Sequence, residues 1–344
     1  MKIPENSVRL STFGAFEAGG HIAQRKENQV SGNYVLRNHA YVEYFVPETL
    51  GRTTCPIVLT HNYVSGAAWL GNVEGREGWA QFFLRRGFPV FIVDPPGTGR
   101  AGFNPDDIEY DATVIEGALP VDKGFWPGQD SSAWTAWNMG PEWGIQGDGI
   151  HQGNQMPADE AAQRRLLAAL TPNKPMSDAV VDAAFVHVLE TVTQMAGRPI
   201  FVGWSMGGGL GQRLIRHRPD LFRALVLLDG YSGENRFPEA DRWIDNGPIS
   251  AIDEVAKVLA ETGIPLLNLN SATGHVSNTG HAGKLGGTLV EKVVRRNGTA
   301  RTIWLPDIGI AGNGHMMFFE KNSDEIAKVV EKWIRNSVTA TIEH

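Results

Sequence analysis

The stretch Pro199-Ile200-Phe201-Val202-Gly203-Trp204-Ser205-Met206-Gly207-Gly208-Gly209 constrains this chain more than any other. An apolar run ends in Gly-x-Ser-x-Gly, and an amphipathic segment follows from Leu210 to Arg218. That order reads as a strand, a sharp turn and a helix, with a serine at the apex of the turn. Such a turn strains the backbone of Ser205, and Gly203 and Gly207 let the strand and helix approach, with Gly208 and Gly209 extending that freedom. The start of the following helix aims free N–H groups and a positive dipole end at charge developing near Ser205. A glycine-rich turn with an incidental serine would share the pattern, but the flanking strand and helix favour a nucleophile.

The surrounding chain reads as an α/β sandwich. Pro56-Ile57-Val58-Leu59-Thr60, Pro89 to Val93, Arg223 to Leu228, Pro265 to Asn270 and Thr302 to Leu305 are short apolar runs suited to strands covered on both faces. Helical segments are expected over Gly78–Arg86 and Ser177–Met195, and strands alternating with helices indicate a parallel sheet. Val8–Ile22 and Val35–Val46 read as an antiparallel pair of strands ahead of it. Between about residues 103 and 175 no buried strand is visible, and Trp126, Trp134, Trp137 and Trp143 cluster there. The expected fold is therefore a mostly parallel sheet flanked by helices, its core made of residues 1–102 and 176–344. A helical cap is inserted over 103–175. In the last helix, Asn322 and Glu325 have the spacing of a capping box, and Ile326, Val329, Val330, Trp333 and Ile334 share one face.

A serine nucleophile needs a base. His315 follows the last strand, in the glycine-containing loop Asp307–Met317, which gives the order Ser, acid, His. The acid must orient the imidazole and stabilise its charged form. In many folds of this kind it follows the strand two after the serine, yet no Asp or Glu stands between Glu261 and Glu291. Asp229 ends a fully apolar run one strand earlier, where a carboxylate is costly to bury unpaired, so His315 is its expected partner. Glu234 is the rival acid, and Asp94 sits among prolines and glycines that suggest a structural turn. The oxyanion donors are expected to be the backbone N–H of Met206 and that of Tyr63, with Val64 as the substitute for Tyr63. His61 would then brace the turn.

Composition narrows the classes. The formal net charge of -7 with no basic run argues against nucleic-acid binding. No apolar run is expected to reach the ~20 residues of a membrane span, and the N-terminus lacks a signal peptide's apolar core, so a cytoplasmic protein is expected. Cys55 is the only cysteine, which rules out an internal disulfide. His275 and His281 lack accompanying carboxylates or cysteines, and the glycines of Asp94–Gly99 lack a phosphate loop's lysine, so neither metal nor cofactor is expected.

These residues resemble the α/β-hydrolase superfamily, and more narrowly the family typified by the bacterial esterase 713. Four stretches carry the likeness: Gly75–Trp79 through Phe83–Gly87 to Asp94, Gly97 and Gly99-Arg100; Ala133-Trp134, Gly140-Pro141 and Gln155–Pro157; the Ser205 turn; and Gly312–Met317. The family places its acid, usually Glu, after the strand following the serine strand, which corresponds to Asp229. At the oxyanion turn its prototype has His-Gly and two cysteines, where this chain has His61-Asn62-Tyr63-Val64. The resemblance implies a carboxylic ester hydrolase, an esterase or lactonase, acting through Ser205, His315 and Asp229. Its substrate would be a small apolar or aromatic ester or lactone, met by Trp204, Trp134, Trp137, Trp126 and Met316. A lyase or cyclase that uses the triad without an acyl-enzyme, or a ligand receptor, are the alternatives. A homodimer is the assembly considered beside a monomer.

Overall fold

A computed structural model describes residues 7–24, 33–51, 55–61, 63–104, 126, 128, 133–134, 136–140, 153–157, 159–174, 176–230, 249–274 and 287–339. Asn62, Trp143, Glu234, His275 and His281 lie outside the described residues. So does most of the segment expected to form the cap.

The strands are β1 (Leu10–Gln24), β2 (Tyr34–Pro47), β3 (Ile57–Thr60), β4 (Val90–Asp94), β5 (Ile200–Trp204), β6 (Ala224–Leu228), β7 (Leu266–Asn270) and β8 (Ala300–Trp304). They form one sheet in the order β1-β2-β4-β3-β5-β6-β7-β8. β1 and β2 pair antiparallel along their length, and β2 pairs antiparallel with β4. From β4 to β8 every neighbour is parallel. β3 to β7 are buried along their whole length, as unbroken apolar strands in a doubly covered sheet must be.

The helices are α1 (Trp79–Leu84), α2 (Glu160–Ala169), α3 (Asp178–Ala196), α4 (Met206–His217), α5 (Ile249–Thr262), α6 (Gly287–Arg295) and α7 (Ser323–Ile334). Strand side chains alternate between two faces. Ile57, Leu59, Ile92, Val202 and Leu228 point to a core shared with α1, α7 and described residues of the 103–175 segment, including Trp134 and Leu166. Val58, Phe91, Val93, Phe201 and Leu225 point to a second core under α3, α4, α5 and α6.

Two expectations change. By length and composition α3 is apolar enough to cross a membrane, contrary to the sequence reading. Its residues Ala184, Phe185, Val188, Leu189 and Val192 are buried in the second core, however, which accounts for the apolar run. The capping box at α7 is absent: Asn322 stands at the N-cap but makes no side-chain cap hydrogen bond. Its amide is taken up by Asn313, donating at 3.1 Å and accepting at 2.7 Å.

Candidate active site

The sheet brings the candidate residues to one edge. Ser205 follows β5, Asp229 follows β6 and Ser271 follows β7, all at the carboxyl ends of adjacent strands, where open α/β sheets bind their ligands. The ladder continues past the strand ends: the N–H of Ser205 donates to the Leu228 carbonyl at 3.0 Å, and that of Asp229 to the Leu269 carbonyl at 2.9 Å. His315 comes from the loop between β8 and α7.

Backbone strain singles out the same residues. Among the described residues, the non-glycine positions with positive φ are Asn38, Tyr63, Asn138, Ser205, Asp229 and Asn297. Asparagine and aspartate tolerate that region best, so the unexpected members are Tyr63 (φ 63°) and Ser205 (φ 55°), with Asp229 (φ 43°) beside them. Conformations of this kind cost of order 1–3 kcal/mol each and persist where the surroundings over-determine them. At Ser205 the cause is visible. A Cβ on Gly203 would lie 2.3 Å from the Gly207 carbonyl oxygen, and one on Gly208 would lie 2.7 Å from the Gly230 Cα. Only glycine permits a turn this tight, and it holds Ser205 at the start of α4 with ψ at −123°. Met206 is the first residue of α4, and the first N–H groups of a helix have no intrahelical acceptor.

Asp229 and His315 are both buried, with Oδ2 of Asp229 3.2 Å from Nδ1 of His315. The carboxylate is fixed from the far side by Ser271, whose N–H donates to Oδ1 at 2.8 Å and whose hydroxyl donates to Oδ2 at 2.6 Å. The Ser271 hydroxyl in turn accepts the N–H of Gly274 at 2.9 Å. The slot after β7 that lacks an acid thus supplies the group that orients one.

The main chain of His315 is held at both ends. Its N–H donates to the Trp137 carbonyl at 2.8 Å, and its carbonyl accepts the indole N–H of Trp204 at 2.7 Å. The imidazole centroid lies 5.1 Å from the Trp204 ring and 6.4 Å from the Trp137 ring. A row of aromatic rings continues outward: Trp137 is 6.4 Å from Trp126, and Trp126 meets Tyr63 edge-on at 5.3 Å. Of the residues nominated for substrate contact, Trp204, Trp134 and Met316 are sealed in the core. The Trp134 indole N–H is engaged by the Gly140 carbonyl at 2.7 Å. Trp137 is nearly closed off, and Trp126 is half-buried.

Two further carboxyl groups are fully buried. Asp94 ends β4, fully buried, and forms a hub: Oδ1 lies 2.7 Å from Nε2 of His61 and accepts the Gly66 N–H at 2.7 Å. Oδ2 accepts the backbone N–H of Arg100 at 3.0 Å and its Nε at 2.8 Å. Burial pushes the Asp94 pKa up, but the His61 and Arg100 hydrogen bonds outweigh it and hold the group at about 2. His61 is therefore half of a buried pair that closes the turn after β3. Glu320, which sequence reasoning missed, is also fully buried, with its pKa pushed up to about 8, first by burial. The signal available was slight, a Glu between the apolar Phe318-Phe319 and the start of a helix.

A curated relative, a probable secreted lipase of a fungal species (strain ATCC 74256), is 26% identical over 324 residues, spanning 86% of this chain and 85% of its own. A solved structure described as that of a novel bacterial esterase superposes over 98% of this chain and 99% of its own, with a TM-score of 0.73 at 19% identity, and shares the fold. The sequence model of the alpha/beta hydrolase fold matches residues 66–249, more than half of the chain, and with the strand–serine–helix turn at Ser205 it shows that this chain belongs to the α/β-hydrolase family.

Proposed function

We propose that the chain is a carboxylic ester hydrolase that works through an acyl-enzyme on Ser205. The observation that carries this reading is the Asp229–His315 pair standing at the same sheet edge as the strained Ser205 turn. Ser205 Oγ attacks the ester carbonyl while His315 takes its proton; Asp229 holds the imidazole in the right tautomer and balances its charge. The N–H groups of Met206 and Tyr63 receive the oxyanion. The alcohol leaves with the proton from His315, and water, activated by the same imidazole, releases the acid. The fungal lipase and the bacterial esterase named above support ester chemistry. The half-buried Trp126 and Tyr63 favour an apolar or aromatic ester or lactone.

The test is adduct formation with an organophosphonate together with turnover of a nitrophenyl acetate. Ser205→Ala should abolish the adduct and lower kcat by roughly 10⁴ or more. A lyase or cyclase would retain no acyl-enzyme under single-turnover conditions, and full activity in the alanine variant would sink the serine mechanism.

A further inference from the structure

Glu320 has no part in the chemistry just described, yet both of its oxygens are bound to the two residues that precede His315. Oε1 accepts the backbone N–H of Gly314 at 2.9 Å, and Oε2 accepts the side-chain amide of Asn313 at 2.6 Å. Asn313 is locked in turn to Asn322 by two reciprocal amide bonds. Its carbonyl accepts the N–H of Thr273 at 3.1 Å, and Gly314 bridges to Gly274. Gly274 is the residue whose N–H binds the Ser271 hydroxyl that orients Asp229. One carboxyl group therefore lies at the base of the loop that carries His315 and of the loop that carries the partner of Asp229. A Cβ on Gly314 would lie 2.7 Å from the Trp137 carbonyl oxygen, 2.9 Å from that of Asn138 and 3.0 Å from Glu320 Oε1, so the loop is packed tightly between them.

We propose that Glu320 is a positioning residue for His315: its carboxyl group fixes the Asn313–Gly314 backbone that presents the imidazole to Asp229. This rests on the reading of Ser205, His315 and Asp229 given above.

The surroundings also hold this carboxyl group in its uncharged form at neutral pH. Burial raises its pKa most and the nearby Asp229 charge adds to the rise, while the two hydrogen bonds and Lys321 work against it. Beyond these lies His315, paired with Asp229, and at the surface Arg76, with Glu74 and Asp324, over the Lys321 carbonyl. Ionisation of Glu320 puts a second negative charge beside the Asp229–His315 pair, where it stabilises positive charge developing on the imidazole in the transition state.

The experiment compares wild type with Glu320→Gln and Glu320→Ala on a nitrophenyl ester, with kcat expressed per phosphonate-titrated site. Glutamine mimics the uncharged carboxyl, because the Asn313–Asn322 amide pair can flip to accept its extra N–H. We expect its kcat at about pH 7 to stay within about threefold of wild type, and the wild-type-to-variant ratio to rise severalfold through about pH 8. Glu320→Ala strands the Gly314 N–H, and its kcat per titrated site should fall roughly tenfold to a hundredfold with KM within about threefold. A merely structural residue would lower the number of titrated sites and leave kcat per site and its pH profile unchanged; that result overturns the proposal. If neither variant folds, the wild type decides by infrared difference spectroscopy. Loss of a protonated carboxyl band between about pH 7 and about pH 9, in step with the kcat profile, is expected; no such band overturns the proposal. Failure of the underlying reading is separate, since Ser205→Ala would then keep its turnover.

Discussion

The indole N–H of Trp204 donates to the backbone carbonyl of His315 at 2.7 Å, so the residue just before the candidate nucleophile holds the main chain of the candidate base. The spacing between Ser205 and His315 is thus set by a hydrogen bond between their immediate frames, independently of any bond between the two side chains. Trp204→Phe keeps the ring and deletes this bond, leaving a buried carbonyl unpaired. It should cost about 1–3 kcal/mol of stability and lower kcat roughly tenfold to a hundredfold. Urea unfolding and ester kinetics measure the two effects, and an unchanged kcat would remove Trp204 from the positioning role.

Asp229 divides Oδ2 between the Ser271 hydroxyl and His315. Asp229→Asn should keep the packing but favour the wrong imidazole tautomer, lowering kcat by roughly 10²–10⁴ with little change in KM. Ser271→Ala leaves the carboxylate with one anchor and should cost a smaller factor, roughly tenfold. A Ser271 variant worse than Asp229→Asn would contradict this ranking.

The Asp94 hub predicts an acid-dependent stability. The folded-state pKa of about 2 lies below the ordinary 3.8, so the contribution is complete above about pH 4 and is lost as pH falls toward 2. It amounts to about 2 kcal/mol. Asp94→Asn should therefore be less stable than wild type at neutral pH, with the gap narrowing in acid. Thermal melts across that range test it, and a gap independent of pH would be the adverse result.

Gly203→Ala places a methyl group 2.3 Å from the Gly207 carbonyl oxygen, against backbone that cannot yield. We expect a loss of about 3 kcal/mol or no soluble protein, read as the urea midpoint. A variant as stable as wild type would mean that the turn is looser than its geometry indicates.

The sequence made the central sheet legible because β3 to β7 are unbroken apolar runs, and it made Ser205 legible because only a tight turn calls for so many glycines. Asp229 could be reached by elimination, as a charge ending an apolar strand beside an empty acid slot. Ser271, Glu320 and the service of Trp204 to His315 could not be read this way. Each acts through a partner distant in the chain, and a Glu before Lys321 and Asn322 looks like the polar start of a helix. The Asn322–Glu325 spacing misled for the same reason: a tertiary partner, Asn313, claimed the side chain that local pattern assigned to a cap.

β3 lies between β4 and β5 in the sheet, and Ile57 pairs with Ile200 across everything made between them. During synthesis, β3 therefore leaves the ribosome with one apolar edge that has no neighbour until β5 emerges. Such long-range parallel pairing is slow to form and exposes aggregation-prone strands while it waits. The nucleophile's own strand is the one that covers that edge, so the step that buries β3 also creates the Ser205 turn. A nascent chain stalled before residue 200 should need chaperone cover for β3, and one stalled just past α4 should need it for β5 instead, until β6 emerges.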